Sequence, residues 1–425
     1  MNPKYYTRMS CSVYIINCPP FWLKTPPLSL VYLKAFLQSK GVKTMVNDLN
    51  NKIFSLSRIS PGTWLKLDED FEKNLFRESL KKHTVFFKKL IMEIGNFDCI
   101  GLSILKRNTH FSLSLAQEIR AAYPKKQIII GGPQAFILDK QSSLNKEYSW
   151  VIGEGELAFL EIANGVKNRI HRFMETECLD DLPFYDFASF DLNSYSHTLP
   201  LLSSRGCPNQ CSFCSERLLY KKFRFHSPGY LVEQIIQLKK KSRTNNFVFM
   251  DSLINYNEDW LYEFCSSLLK KDLRINWEAQ MRIKKKLPLE LAGLLKKSGC
   301  FNLFIGLESG CDKILKAMNK GFSLQEAVAF FKVLKKAGLN FEVSLILGYP
   351  EEGKEEFKET KKFIVKNKEI IPKIAQVNPF TDYLGRFPEK KYPAAEGINR
   401  VKKILKVLEK ERIKHTKKYI NNLIY

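Results

Sequence analysis

The chain contains no apolar run approaching the ~20 residues that a membrane-crossing helix requires, so no membrane span is expected. Its opening, Met1-Asn2-Pro3-Lys4, shows no basic stretch followed by an apolar one, so no secretory leader is expected. Short-period repeats and low-complexity tracts are missing as well. Paired cysteines of the kind that staple small secreted folds are also lacking. The ten cysteines, at 11, 18, 99, 178, 207, 211, 214, 265, 300 and 311, mostly stand alone inside apolar segments and suit buried thiols in a reducing compartment. With 425 residues, 44% of them apolar, the chain can bury two cores without disulfides, and a soluble cytoplasmic protein is expected.

Lysine and arginine number 68 against 44 acidic residues, a formal charge of +24 that would favour nucleic acid, an anionic cofactor or an acidic peptide. The positive residues, however, are mostly lysines spread over helix faces, as in Lys239-Lys240-Lys241 and Lys284-Lys285-Lys286. No arginine–aromatic interleaving accompanies them. A solvated surface is the simpler reading, and no nucleic-acid partner is expected.

Short β-rich runs alternate with amphipathic stretches from one end to the other, which predicts an α/β protein with parallel sheets. Strands are expected at Ser12–Asn17, Thr44–Asp48, Cys99–Ser103, Gln127–Ile130 and Trp150–Ile152, with helices at Leu28–Lys40, Phe71–Ile94, Phe111–Ala122 and Glu156–Ala163. These define a Rossmann-like domain over residues 1–165. Its strand-end residues Ser103, Gly131, Gly132 and Glu154 are candidate ligand contacts, because open parallel sheets bind beyond the carboxyl ends of their strands. The glycines there would make tight turns in any case.

Residues 166–197 read as a linker. Over 198–380, strands at Pro200–Ser204, Phe247–Met250, Ile275–Gln280, Asn302–Gly306, Phe341–Leu347 and Ile374–Asn378 alternate with six helices, the pattern of a partial (β/α)6 barrel. Residues 381–425 end in a lysine-rich helix at about 395–420.

One segment carries chemistry. Ser203-Ser204-Arg205-Gly206-Cys207-Pro208-Asn209-Gln210-Cys211-Ser212-Phe213-Cys214 leaves the first barrel strand at its carboxyl end, where barrel active sites are built. Three thiolates at this spacing can wrap one face of an iron–sulfur cubane and leave the fourth iron open. Zinc is the alternative, but no second cysteine pair follows, and His226, in His226-Ser227-Pro228-Gly229, reads as part of a helix start.

These residues resemble the radical S-adenosylmethionine (SAM) superfamily. The likeness extends to Gly306-Leu307-Glu308-Ser309-Gly310, Asn319-Lys320-Gly321, Trp277 with Arg282, Asp251, and Gly348-Tyr349-Pro350-Glu351-Glu352. Upstream, Pro26-Pro27-Leu28, Gly131-Gly132-Pro133 and Gly153-Glu154-Gly155-Glu156 are similar to the cobalamin-binding-domain branch. The resemblance implies a 4Fe-4S cluster on Cys207, Cys211 and Cys214, reductive cleavage of SAM to a 5′-deoxyadenosyl radical, and an electron donor such as flavodoxin or ferredoxin. It further implies that Glu308 and its neighbours Gly306 and Ser309 serve the ribose, that Arg282 meets a carboxylate, and that Phe213 and Gly348 border the adenine.

Many cobalamin domains carry Asp-x-His-x-x-Gly after the first strand, whereas this chain reads Asn17-Cys18-Pro19-Pro20-Phe21-Trp22-Leu23 there. The expectation is therefore cobalamin bound without a histidine on cobalt, and methylation of an unactivated carbon. The rival expectations are a cobalamin-independent rearrangement, cyclisation or oxidation, and a tRNA-modifying methylthiotransferase whose second cluster would need three more thiols in the first domain. A small metabolite, a lipid precursor and a peptide all remain open as substrate.

Overall fold

The computed structural model describes residues 11–65, 69–382, 385, 387 and 394–416; the opening Met1–Lys4 and the 417–420 end of the expected last helix lie outside them. Two six-stranded, all-parallel sheets carry the molecule. The first is built from β1 (Ser12–Asn17), β2 (Lys43–Asp48), β3 (Cys99–Ser103), β4 (Gln127–Gly131), β5 (Ser149–Ile152) and β6 (Ile170–Arg172) in the order β2-β1-β3-β4-β5-β6. Every residue of β1 is buried, as a strand covered by helices on both faces must be. Strand order reverses between β1 and β3, so the ligand crevice of this doubly wound sheet opens beyond Asn17 and Ser103.

The sixth strand corrects the linker reading: Ile170–Arg172 pairs with β5 and lengthens the first sheet. The expected Phe71–Ile94 helix is two helices, Glu69–Lys82 and Thr84–Ile94, broken at His83. Gly131-Gly132-Pro133 does more than turn, since a helix starts at Pro133, a residue that tolerates the first helical position well.

β7 (Thr198–Leu201) leads into a small antiparallel hairpin, β8 (Ser204–Arg205) with β9 (Arg224–Phe225), which brackets the cysteine segment. The second sheet continues with β10 (Asn246–Phe249), β11 (Asn276–Met281), β12 (Cys300–Glu308), β13 (Phe341–Leu347) and β14 (Ile374–Pro379), in the order β7-β10-β11-β12-β13-β14. The result is an open, partial barrel. Ser227 caps the helix Pro228–Ser242 by accepting from Tyr230 N, as the Ser-Pro-Gly reading predicts. The helix Ala394–Lys410 packs along β14, anchored where Arg400 Nη1 donates to Glu352 Oε2 at 2.6 Å.

Candidate active site at the barrel mouth

The cysteine segment crosses the carboxyl ends of the barrel strands and is stitched down on the far side. Ser212 N donates to Met318 O at 3.0 Å, Ser212 Oγ lies 2.8 Å from Tyr349 Oη, and Asn319 Nδ2 donates to Gln210 O at 2.9 Å. At its near end, Asp251 beyond β10 accepts from Ser203 N, from Ser203 Oγ at 2.6 Å and from Ser204 Oγ at 2.6 Å. Burial pushes this carboxyl up to about 6, against the pull of those hydrogen bonds. Both ends of the loop are thus fixed by polar contacts, and Phe213 adds apolar packing against Ile314, Met318 and Tyr349.

Cys211 is buried and Cys207 and Cys214 are half-buried. Burial raises the Cys214 thiol to about 12, and the nearby Cys211 and Cys207 push it the same way, so the three sulfurs are neighbours. Among the described residues no three His, Cys, Asp or Glu side chains are gathered tightly enough for a single metal ion. Thiolates on one zinc stand about 3.8 Å apart, whereas a cubane carries them on separate corner irons and needs a wider grouping. Two sulfurs already hold N–H donors: Arg282 Nη1 reaches Cys211 Sγ at 3.0 Å and Asn209 Nδ2 reaches Cys207 Sγ at 3.5 Å. Such donors stabilise thiolate charge and tune cluster potentials. The donor set fits an iron–sulfur cluster.

Arg282, expected to meet the carboxylate of a bound molecule, is held here by Cys211 and the carbonyl of Lys320. Glu308 stands at a register shift where β12 meets β13, with φ of +70°. A bulge with a non-glycine residue in the left-handed region is costly, and such strain is found where a side chain must be aimed. Its carboxylate takes a salt bridge from Lys320 Nζ at 3.4 Å and a hydrogen bond from Ser344 Oγ at 3.0 Å. Gly306 lies against that carboxylate, where a methyl group would stand 2.3 Å from Oε1. Lys320 Nζ in turn sits 5.7 Å from the ring centre of Phe213. Phe213, Gly306, Glu308, Arg282 and the cysteines are therefore one neighbourhood, and Lys320 and Ser344, to which the sequence reading gave no role, belong to it.

Two further expected contacts also serve the chain's own packing. Ser309 Oγ is fully buried, 3.3 Å from Thr360 Oγ1, and accepts from Cys311 N. Gly348 has φ of +80° and a Cβ there would stand 2.8 Å from Gly397 Cα, so glycine is needed for the last helix to approach.

In the first domain, a Cβ on Gly132 would meet Ile104 O at 2.6 Å, and one on Gly131 would meet Val151 Cβ at 3.3 Å. Gly132 also has φ of +104°. Both positions serve packing of the chain on itself. Glu154 is buried in ion pairs with Arg205 and Arg224. Ser103 and Gly131 are register partners at the carboxyl ends of β3 and β4, both half-buried, and Gly132 follows directly. His226 is buried between Asp180 and Tyr32, with both ring nitrogens engaged.

The barrel is similar to that of radical SAM proteins. Residues 201–364 match the Radical SAM superfamily model. The chain is 29% identical over 301 residues to bacteriochlorophyllide d C-12(1)-methyltransferase of Chlorobaculum tepidum, covering 68% of this chain and 65% of that one. It is 30% identical over 160 residues to the anaerobic magnesium-protoporphyrin IX monomethyl ester cyclase of Rubrivivax gelatinosus, covering 37% and 29%. It therefore spans less than two thirds of the length of these relatives. Its fold is that of the cobalamin-dependent radical SAM enzyme OxsB, solved with aqua-cobalamin and SAM, at TM-score 0.68, 17% identity, 95% of this chain and 56% of that one. The radical SAM methyltransferase TsrM of Kitasatospora setae superposes at TM-score 0.63, 14% identity, 87% and 73%.

Proposed function

We propose that this chain cleaves SAM reductively at a 4Fe-4S cluster held by Cys207, Cys211 and Cys214, and that it methylates an unactivated carbon with the help of a corrinoid in the first domain. The observation that carries the reading is the three-thiol loop at the barrel mouth, with N–H donors on two sulfurs and the Glu308–Lys320 pair beside it. When bound, the cluster supplies the electron that splits SAM, and the corrinoid carries the methyl group. The protein's part is positioning. Asp251 holds the strand end that feeds the loop, Arg282 steadies the charge on Cys211, and Glu308 presents two oxygens to ribose hydroxyls, with Lys320 and Ser344 fixing its direction. A flavodoxin- or ferredoxin-like donor supplies electrons. Among the described residues no helix is long and apolar enough to cross a membrane.

The corrinoid would lie in the crevice beyond β1 and β3, beside Ser103, with no histidine on cobalt. The methylthiotransferase alternative is less well supported by the first domain's thiols. Cys11 and Cys99 stand 3.5 Å apart at the start of the sheet, while Cys18 lies at the other end of β1, roughly 20 Å away at strand rise.

Glu308→Ala is expected to keep its iron and to weaken SAM binding by about 1–3 kcal/mol, the range for losing a hydrogen bond to a charged group. Equilibrium binding to the anaerobically reconstituted protein measures this. A variant that sheds iron as the cysteine variants do would make Glu308 a structural residue and remove it from the site.

A further inference from the structure

The turn Gly153-Glu154-Gly155-Glu156 leaves β5 and meets the hairpin that brackets the cysteine segment. Arg205 Nη1 donates to Glu154 Oε2 at 2.8 Å, and Nη2 donates to Glu156 Oε1 at 2.6 Å. Arg224 pairs with Arg205 across the hairpin. Its Nη1 donates to the same Glu154 Oε2 at 3.2 Å, its Nη2 donates to Glu154 Oε1, and Glu175 lies 3.8 Å from it. The face of Tyr32, from the first domain, lies 5.1 Å from the Arg205 guanidinium. The side chains of Arg205, Glu154, Glu156 and Arg224 are 6%, 3%, 5% and 7% exposed.

Four charged side chains removed from water are tolerated only when their hydrogen bonds are met, and such clusters are poor devices for stability. Their best-attested use is to fix registry between packed parts. Burial works against the Glu156 carboxylate, yet Arg205 outweighs it and holds the group below the ordinary carboxylate range. The planar fork of Arg205 spans two separate carboxylates, which a lysine ammonium cannot do. Arg205 also stands two residues before Cys207, at most about 7 Å along the chain, so a shift of the clamp reaches the first thiol through one intervening residue.

We propose that Arg205 is a positioning residue for the cluster, and that Glu154 and Glu156 of the first domain, through it, set where the Cys207 thiolate stands relative to the strand ends of that domain. The cluster-bearing loop is thereby held in register with the first sheet and not only with the barrel. This rests on the cluster assignment above.

The test compares wild type, Glu156→Gln and Arg205→Lys, full-length and reconstituted anaerobically with iron and sulfide. Iron content is expected to be equal in all three. The electron paramagnetic resonance spectrum of the reduced cluster is expected to change in both variants, although neither touches a cysteine, and SAM cleavage is expected to slow roughly tenfold. The double variant should be no worse than the singles, because one unit is being broken. Spectra and cleavage rates identical to wild type at equal iron content would overturn the proposal. Should Arg205→Lys fail to fold, Glu156→Asp, which keeps the charge on a shorter arm, carries the same comparison, with a wild-type spectrum again the overturning result. A wild-type protein that loads no iron would instead defeat the cluster assignment, and this inference with it.

Discussion

Replacing Cys211 with alanine is expected to leave the protein without a stable cluster and without detectable cleavage of SAM, and Cys207→Ala and Cys214→Ala should do the same. Three thiolates that share one inorganic core act as a unit, so losing one costs about as much as losing all. Cys211 has a second reason to be sensitive. It is buried, and Arg282, half-buried, points a guanidinium N–H at its sulfur, so removing the thiol would take away a cluster ligand and the acceptor of that N–H together. The controls are Cys265→Ala and Cys300→Ala. Both sulfurs lie deep in the barrel core, and burial raises the Cys265 thiol to about 12. They pack as small apolar groups, so their loss should lower stability slightly and leave iron content unchanged. Iron per chain and 5′-deoxyadenosine formed after reduction measure both arms. Full iron loading in Cys211→Ala would show that the loop is not the cluster site.

Acid is expected to weaken the junction between the two sheets through His226. The ring is fully buried, its Nδ1 3.0 Å from Asp180 Oδ1 and its Nε2 3.3 Å from Tyr32 Oη. A neutral ring satisfies both partners by donating from Nδ1 to the carboxylate and accepting the phenol proton at Nε2. Burial lowers its pKa to about 4 from an ordinary 6.5, with Asp180 opposing the shift.

For a histidine whose folded value is depressed, the contribution to stability is fully present above the unfolded value. It is lost as pH falls from 6.5 through 4, because the unfolded chain takes up a proton that the folded one refuses. The loss is on the order of 3 kcal/mol. His226→Gln should be destabilised at pH 7, and its deficit relative to wild type should shrink by about that amount at pH 4. Urea unfolding of both proteins at the two pH values measures the difference. A deficit that stays constant would mean that His226 is charged in the folded state or makes no titrating contribution.

Local periodicity carried much of the fold. β1, β3 and β13 stand where the apolar runs predict them, and most other strands differ by a residue or two at their ends. A helix start with a chemical signature was equally legible at Ser227-Pro228. β6 was hidden because three residues at a sheet edge carry too little pattern to separate them from a loop.

The site divides in the same way. The cysteine spacing is a local signal, and so is Glu308 in its glycine setting. Arg205 escaped because its partners lie 51 and 49 residues earlier, in the turn and helix start that follow β5, and no periodicity joins residues so far apart. Lys320 was visible in Asn319-Lys320-Gly321, but its pairing with Glu308 depends on the bulge that turns that carboxylate toward it. The glycines at 131 and 132 carry no local signal of their use: absence of a side chain looks the same whether the space is kept for a ligand or for Val151 and Ile104 of the same chain.

The measurement that bears most directly on the proposed activity is the optical and paramagnetic spectrum of the wild-type protein, reconstituted anaerobically with iron, sulfide and a micromolar excess of hydroxocobalamin, then freed of unbound cofactor. Cluster and corrinoid absorb differently and are counted separately. The expected result is one 4Fe-4S cluster and one corrinoid per chain, with a cobalt(II) signal that shows no nitrogen ligand from histidine. A protein that holds the cluster and takes up no corrinoid would contradict the methyl-transfer account and leave a cobalamin-independent radical enzyme. One that holds neither would contradict the assignment as a whole.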